Sequence, residues 1–258
     1  MKSRKNVLLL GSERGTPGTK SAIFRFNMRR ALPRFDSLSL QTDKVRNFYT
    51  ETQKVPEDKS RVIPNPFVPT ETEICPAEER QPVIVSAGRL CAAKNFGLLI
   101  DAFRKVYDKH PEYKLVIYGE GPDRGILQAK ADNSGITDKI SLAGFVPNIT
   151  EAIRNASVFV LSSREEGIPN SLLEAMGVGL PCVSTDCASG GPALLFGEDR
   201  GLLVGLTDAD EMADAICRII EDNELARSLS EKATAVRDLF SPEKIALSWR
   251  SFVTDNMK

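Results

Sequence analysis

From Gln81 onward the chain alternates short apolar runs with stretches of helical periodicity, and this alternation limits the fold more than any other feature. The runs fall at 83–86, 115–118, 140–142, 158–161, 182–184 and 202–204. In "NFGLLIDAFRKVYDKH", between the first two, Phe96, Leu99, Ile100, Phe103, Val106 and Tyr107 share one helical face. Strands read as unbroken apolar runs when crossover helices cover both faces of a parallel sheet. The pattern therefore predicts an α/β fold built on a doubly wound parallel sheet. Ligands of such sheets bind outside the carboxyl ends of the strands, so the loops after each strand are the places to look for function. Helices are expected at about 208–221 and 224–240, and a third at about 242–253 carries the only tryptophan, Trp249.

The first 80 residues read differently. A strand is predicted at 7–10, a basic helix near 21–32, an apolar run at 37–40 and a helix near 43–52. These are too few to close a doubly wound domain and look like the tail of a larger one. The segment "VIPNPFVPTETEICPAEERQP" is rich in proline and acid and reads as a linker. The expected division is a partial N-terminal domain over 1–60, a linker over 61–81, the main domain over 82–240, and a C-terminal helix over 241–258 crossing back toward the N-terminal part.

Charge excludes one broad class of partner. With 34 basic and 35 acidic residues, no net field draws nucleic acid. A local basic stretch near 25–34 leaves room for peripheral contact with a membrane. The five cysteines (Cys75, Cys91, Cys182, Cys187, Cys217) include no CxxC pair, as expected of scattered thiols in a reducing compartment. The start has only about five apolar residues in a row, against the roughly 7–15 of a secretory core. No run approaches the roughly 18 of a membrane span. The expected location is the cytoplasm, with membrane association open.

The motifs after the strands carry the chemistry. "SAGRLCAAKN" sets Gly88, Arg89 and Lys94 at a strand's carboxyl end, where a guanidinium and an ammonium can clamp a diphosphate. Taken alone, a solvated charge pair is the commoner reading. "YGEGPDRGIL" is a tight turn opening a helix, with Asp123 as the expected cap. Arg124 occupies the place of a third glycine, so a dinucleotide fingerprint is not met. In "LAGFVPN", Gly144, Phe145 and Val146 either face a nucleobase or pack. "EEGIPNSLLEAM" sets Glu166 and Glu174 eight positions apart, with a helix starting at Pro169 or Asn170 and free N–H groups near Ser171 and Leu172 suited to an anion. Glu174 lies among Leu172, Leu173, Ala175 and Met176. An unpaired buried carboxylate costs several kcal/mol, so this one must be solvated, paired or awaiting a ligand. In "STDCASGGPALL", Gly190 and Gly191 form either an anion nest or a plain turn. The acids of "TDAD" suit a helix cap better than a metal. The single histidine, His110, suits a helix C-terminus better than base catalysis, and no serine or cysteine stands ready to complete a hydrolytic triad.

Taken in order, "GRL…K", "YGEGP", "LAGFV", "EEGIPNSLLEAMGVGLPCVSTD" and "GLLV" resemble the C-terminal donor domain of family 4 retaining glycosyltransferases, a Rossmann-like half of the GT-B fold. The likeness covers about 62–252. It implies a nucleotide-diphosphate sugar donor, such as a UDP- or GDP-sugar, a glycan or lipid-linked acceptor, no separate cofactor and no metal at the reaction. By this resemblance Arg89 and Lys94 would hold the diphosphate, with Gly88 among the donor-binding residues, Glu166 would contact the transferred sugar, and Glu174 would bind the ribose hydroxyls. The backbone from Gly167 through Ile168, Pro169, Asn170, Ser171 and Leu172 would bind sugar and phosphate, and Gly144, Phe145 and Val146 would line the base. Leu194 stands where many relatives carry a glutamate, and the family's earlier N-terminal strands have no counterpart here. The implied activity is hexosyl transfer in surface polysaccharide or glycolipid synthesis. The alternative is a non-catalytic nucleotide-sugar-binding fragment or an inactive remnant.

Overall fold

The computed structural model describes residues 7–15 and 22–257. Three short strands, β1 (Leu10–Glu13), β2 (Ser37–Leu40) and β3 (Ser60–Val62), pair in parallel in that order. Helices α1 (Ala22–Ala31) and α2 (Asp43–Thr52) connect them. The second sheet is larger and also parallel. It contains β4 (Gln81–Ala87), β5 (Lys114–Tyr118), β6 (Ile140–Gly144), β7 (Ala156–Leu161), β8 (Cys182–Thr185) and β9 (Leu202–Val204). Its strand order is β6-β5-β4-β7-β8-β9, so chain direction across the sheet reverses between β4 and β7. The expected α/β doubly wound parallel sheet is present.

Helices α3 (Phe96–Lys109), α4 (Arg124–Asp132), α5 (Ile149–Ile153), α6 (Asn170–Gly177), α7 (Gly191–Phe196) and α8 (Ala209–Glu221) follow the successive strands. They cover both faces. Along β4, Ile84 joins one core with Leu99, Phe103 and Ile216. Its neighbours Val85 and Ala87 join the other core with Phe159, Leu172 and Met176. This is the two-residue alternation of a strand buried on both sides.

The predicted strand at 7–10 is corrected to Leu10–Glu13. Leu9 is fixed just before the sheet, where its N–H donates to Asp36 Oδ2 at 2.8 Å and its carbonyl accepts from Asp36 N. Pairing with β2, rather than apolar content, sets where β1 starts. Strand β3 was not expected: it crosses the 60/61 boundary and bonds to β2, so Arg61 and Val62 belong to the small sheet. The expected helix over 224–240 breaks into α9 (Asn223–Ala233) and α10 (Val236–Leu239). Asp123 precedes α4 without a side-chain cap; its backbone N–H donates to Leu90 O at 3.0 Å instead. Asp208 does cap α8, accepting from Asp210 N at 2.9 Å and Glu211 N at 3.0 Å. Residue 21, the expected start of the basic helix, lies outside the described residues.

The last helix, α11 (Pro242–Asp255), returns to the small sheet. Its Ile245 and Phe252 are buried with Ile63, and Trp249 packs beside them. Arg61 binds Ser251 and Asp255, each at 2.9 Å. Among the described residues, no helix is long and apolar enough to cross a membrane. Because Phe252 is 1% exposed, Phe252→Ala is expected to lower stability by about 3–5 kcal/mol. Chemical denaturation measures this, and a loss under about 1 kcal/mol, below the usual range for such a truncation, would show that α11 is not seated as described.

Candidate active site

The reversal between β4 and β7 leaves a crevice at the carboxyl ends of these strands, and the loops that follow them are drawn together there. After β4, Lys94 closes a single helical turn, and Asn95 follows with a φ of 49°, a left-handed conformation that Asn adopts more readily than most residues. This turn sends the Lys94 side chain across to the loop after β7. Its Nζ donates to Glu166 Oε1 at 2.5 Å, and Ser163 Oγ donates to the same oxygen at 2.6 Å. Two further bonds join the loops, Ser162 Oγ to Lys94 O at 2.9 Å and Arg164 N to Ala93 O at 2.8 Å. The Lys94 and Glu166 side chains are only 20% and 11% exposed. Removing either would strand the other charge away from water.

Beside this pair lies a cavity of about 540 Å³. Gly88 and Arg89 line it from β4, Tyr118, Gly119 and Glu120 from β5, Phe145 and Val146 from β6, and Ser171 and Glu174 from α6. A close backbone approach shapes its floor. Gly119 has a φ of 134°, and a side chain there would run into the Gly88 carbonyl. Gly144 accepts from Gly119 N at 2.7 Å, and Phe145 stands at the rim, 77% exposed.

Helix α6 enters the crevice by its N-terminus. The first amide to find a helical partner is that of Leu173, bonded to Pro169 O at 3.1 Å. The N–H groups of Asn170, Ser171 and Leu172 therefore have no carbonyl within the helix, and the helix dipole adds partial positive charge at that end. Glu174 lies one turn in. Burial pushes its carboxyl pKa up, and burial is the only cause of the shift. Among the described residues, no ion pair joins Glu174 to Arg89, although both line the same cavity. Two opposite charges face one space and leave it open.

The structure thus brings Gly88, Arg89, Phe145, Val146, Ser171 and Glu174 around one cavity, with the Lys94 side chain, bonded to Glu166, against its Gly88 wall. Part of the expected donor-binding backbone is otherwise engaged. The N–H of Ile168 donates to Gln41 Oε1 at 3.0 Å, and its carbonyl accepts from Asn65 Nδ2 at 3.2 Å. Pro169 has no N–H to offer. Ile168 and Pro169 thus offer no unbonded amide in this structure, and the amides without a helical partner begin at Asn170. The side chains of Ile168 and Leu172 are buried in the core. Gly167 packs so closely on Gln41 and on the Arg14 carbonyl that a side chain would collide with both.

Sequence reading missed the residues that lock the small sheet onto this loop. Gln41 donates to Asn65 Oδ1 at 2.7 Å, and Asn65 donates to Asn170 Oδ1 at 2.8 Å. Thr42 Oγ1 donates to the Ser189 carbonyl, and Ser189 Oγ donates to the Glu166 carbonyl. Gln41 and Thr42 are 3% and 2% exposed. Their position just after an apolar strand was the available signal.

The glycosyl transferases group 1 family matches residues 69–236. An exopolysaccharide phosphotransferase of Streptomyces coelicolor is 30% identical over 86% of this chain and 24% of its own length. A lipopolysaccharide core biosynthesis glycosyltransferase of Rhizobium meliloti is 34% identical over 58% of this chain and 43% of its own. The chain thus spans less than half the length of either. Among solved structures, the Anabaena protein HepE in complex with UDP superposes with a TM-score of 0.85 at 18% identity, over 96% of this chain and 72% of that one. At that identity the likeness is one of fold.

Burial makes the ionised form of Glu174 less favourable in the folded chain than in the unfolded one. The penalty is absent below the unfolded-state pKa and grows as pH rises through the folded-state one. Glu174→Gln is therefore expected to raise Tm at neutral pH, with the gain vanishing below about pH 4, where the unfolded carboxyl protonates. Thermal melts across that range check it, and a gain independent of pH would contradict it.

Proposed function

The chain belongs to the glycosyl transferases group 1 family, and we propose that it binds a nucleoside-diphosphate sugar and transfers its hexosyl group with retention. The acceptor is a glycan or a lipid-linked sugar of a surface polysaccharide or glycolipid. One observation carries this reading: Arg89, Glu174 and Ser171 at the start of α6 line a single cavity at the strand reversal, and Lys94, paired with Glu166, packs against its Gly88 wall. Such a crevice suits a dianionic group flanked by hydroxyls.

In this proposal the donor diphosphate lies between Arg89, Lys94 and the N-terminus of α6. Cleavage of the bond from the sugar C1 to the diphosphate oxygen places negative charge on the departing group. The two cations and the helix end stabilise that charge most where it develops most. Glu166 is held by Ser163 in a position to contact sugar hydroxyls as Lys94 turns toward phosphate. Glu174 accepts from the ribose hydroxyls, and Phe145 and Val146 flank the base. His110 lies at the far end of α3, so no imidazole serves the crevice as a base. A departing phosphate oxygen on the same face of the sugar takes the acceptor's proton, which accords with retention. Helix α1, with Ile23 and Phe26 exposed and Arg29 and Arg30 in its last turn, is a surface for an anionic lipid-linked acceptor.

A binding module without turnover is the second reading. It is favoured by the small sheet, which has three strands among the described residues and is a slight support for an acceptor. Calorimetry with UDP, GDP and their sugars, followed by a turnover assay with mixed acceptors, separates the possibilities. Failure of every nucleotide to bind would refute the donor site, whereas binding without transfer would favour the module. Glu174→Gln is expected to weaken nucleotide binding by about 1–3 kcal/mol. Lys94→Met is expected to reduce turnover by about 10²–10³-fold.

A further inference from the structure

At the opposite end of the large sheet, His110, Cys217 and Glu221 bring a ring nitrogen, a thiol and a carboxylate oxygen within 4.8 Å of one another. Topology produces this meeting. His110 follows the last turn of α3, while Cys217 and Glu221 lie one turn apart on the α8 face that packs against α3. The imidazole is fixed rather than free. Its Nε2 is 2.9 Å from Glu221 Oε1, its Nδ1 is 3.8 Å from Glu112 Oε1, and the Tyr113 ring meets it edge-on at 6.1 Å. The His110 side chain is 16% exposed, and Cys217 is buried at 3%. Acids are in slight excess nearby: Glu112, Glu221 and Asp214 stand against Lys109, which pairs with Asp214 at 3.6 Å, and Lys139, whose Nζ donates to Pro111 O at 2.9 Å.

A histidine–glutamate hydrogen bond needs no thiol beside it. The combination of imidazole, thiol and carboxylate in one small volume, with net negative surroundings, has the ligand chemistry of a borderline-soft divalent cation. We propose that this cluster binds a divalent transition-metal ion of the zinc type, through His110 Nε2, Cys217 Sγ and the Glu221 carboxylate, with a fourth position open to water. Glu112 Oε1, 3.8 Å from Nδ1, is beyond hydrogen-bond reach, but its exposed side chain can close on a protonated Nδ1 and so hold the tautomer that leaves the Nε2 lone pair for a metal. Binding would release the thiol proton to solvent and shift the ring proton to Nδ1, replacing the His110–Glu221 hydrogen bond with two metal bonds. Tetrahedral zinc with bonds of about 2.0–2.3 Å sets its ligand atoms roughly 3.3–3.8 Å apart. The half-exposed Glu221 side chain can close the remaining gap by a rotamer change.

The ion would rivet the C-terminal end of α3 to α8. Helix α3 has 14 residues and is therefore about 20 Å long. It separates this cluster from the Lys94 turn, so the metal takes no part in group transfer and the inference is independent of the donor reading.

Titration of chelator-treated chain with Co²⁺ tests it directly. One equivalent is expected to produce a near-ultraviolet thiolate-to-cobalt charge-transfer band that Zn²⁺ abolishes. Cys217→Ser should remove the band. His110→Ala, at a partly exposed position, should keep the fold while weakening affinity at least about tenfold, and Glu112→Gln should weaken it by about tenfold. Zn²⁺ should raise the Tm of the unaltered chain and leave that of His110→Ala unchanged. A missing band, a band that survives Cys217→Ser, or one that disappears with Cys91→Ser would overturn the proposal.

Discussion

A parallel sheet whose strand order reverses cannot fill the space above the reversal. The crossovers from β4 and from β7 depart in opposite directions and leave a gap between their carboxyl ends. Each feature of the crevice is a way of using that gap. The β4 loop places Lys94 and Arg89 on one side, and the β7 loop places Glu166 and the start of α6 on the other. The 2.5 Å Lys94–Glu166 contact and the Arg164–Ala93 backbone bond keep the two loops from spreading into solvent. A surface salt bridge contributes little to stability, commonly under about 1 kcal/mol. This one is mostly withdrawn from water and anchored by Ser163, so it acts chiefly as a positioning device.

The join between the two sheets is made differently from their interiors. Each sheet has its own apolar cluster, but Gln41, Thr42, Asn65 and Ser189 meet the crevice through hydrogen bonds. Such bonds have a small net value because water offers comparable partners. At the crevice such a join can loosen with little apolar exposure, while α11 holds the small sheet through an apolar seat at Ile63, Ile245 and Phe252. The polar join is also tied directly to the crevice: Gln41 occupies the Ile168 amide, and Ser189 bonds the Glu166 carbonyl. Any ligand that claimed the Ile168 amide would have to release Gln41, and so would act on the small sheet as well.

How much of this could be read from the residues follows from what each signal encodes. The six strands of the large sheet were legible because burial on both faces demands continuous apolar runs, and the loops after them led to Arg89, Lys94, Glu166 and Glu174. Strand starts were not legible. Apolar Val7 is 68% exposed, while β1 begins at Leu10, where pairing with Ser37 becomes available. The three residues of β3 carry no periodicity at all. Gln41, Thr42 and Asn65 escaped notice because burial of a polar residue depends on partners distant in sequence, 127 positions away for Gln41 and Ile168. The break between α9 and α10 falls in "ATA", which has neither glycine nor proline, so only packing reveals it.

In the proposed reading, Glu174 is where the requirements of folding and of binding part. Its neighbours Leu173, Ala175 and Met176 are all buried, and a chain shaped only by stability would favour an uncharged residue there. Burial raises its pKa, and among the described residues no ion pair offsets the desolvation. Arg89 could have done so, yet it lines the same cavity without pairing. Had the two closed on each other, each charge would be satisfied and the space between them filled by the protein itself. Kept apart, both retain unspent capacity for hydrogen bonding, directed at a cavity of about 540 Å³. A ligand bearing hydroxyls near Glu174 and an anion near Arg89 would satisfy both groups at once, and much of its affinity would come from relieving the desolvation of Glu174.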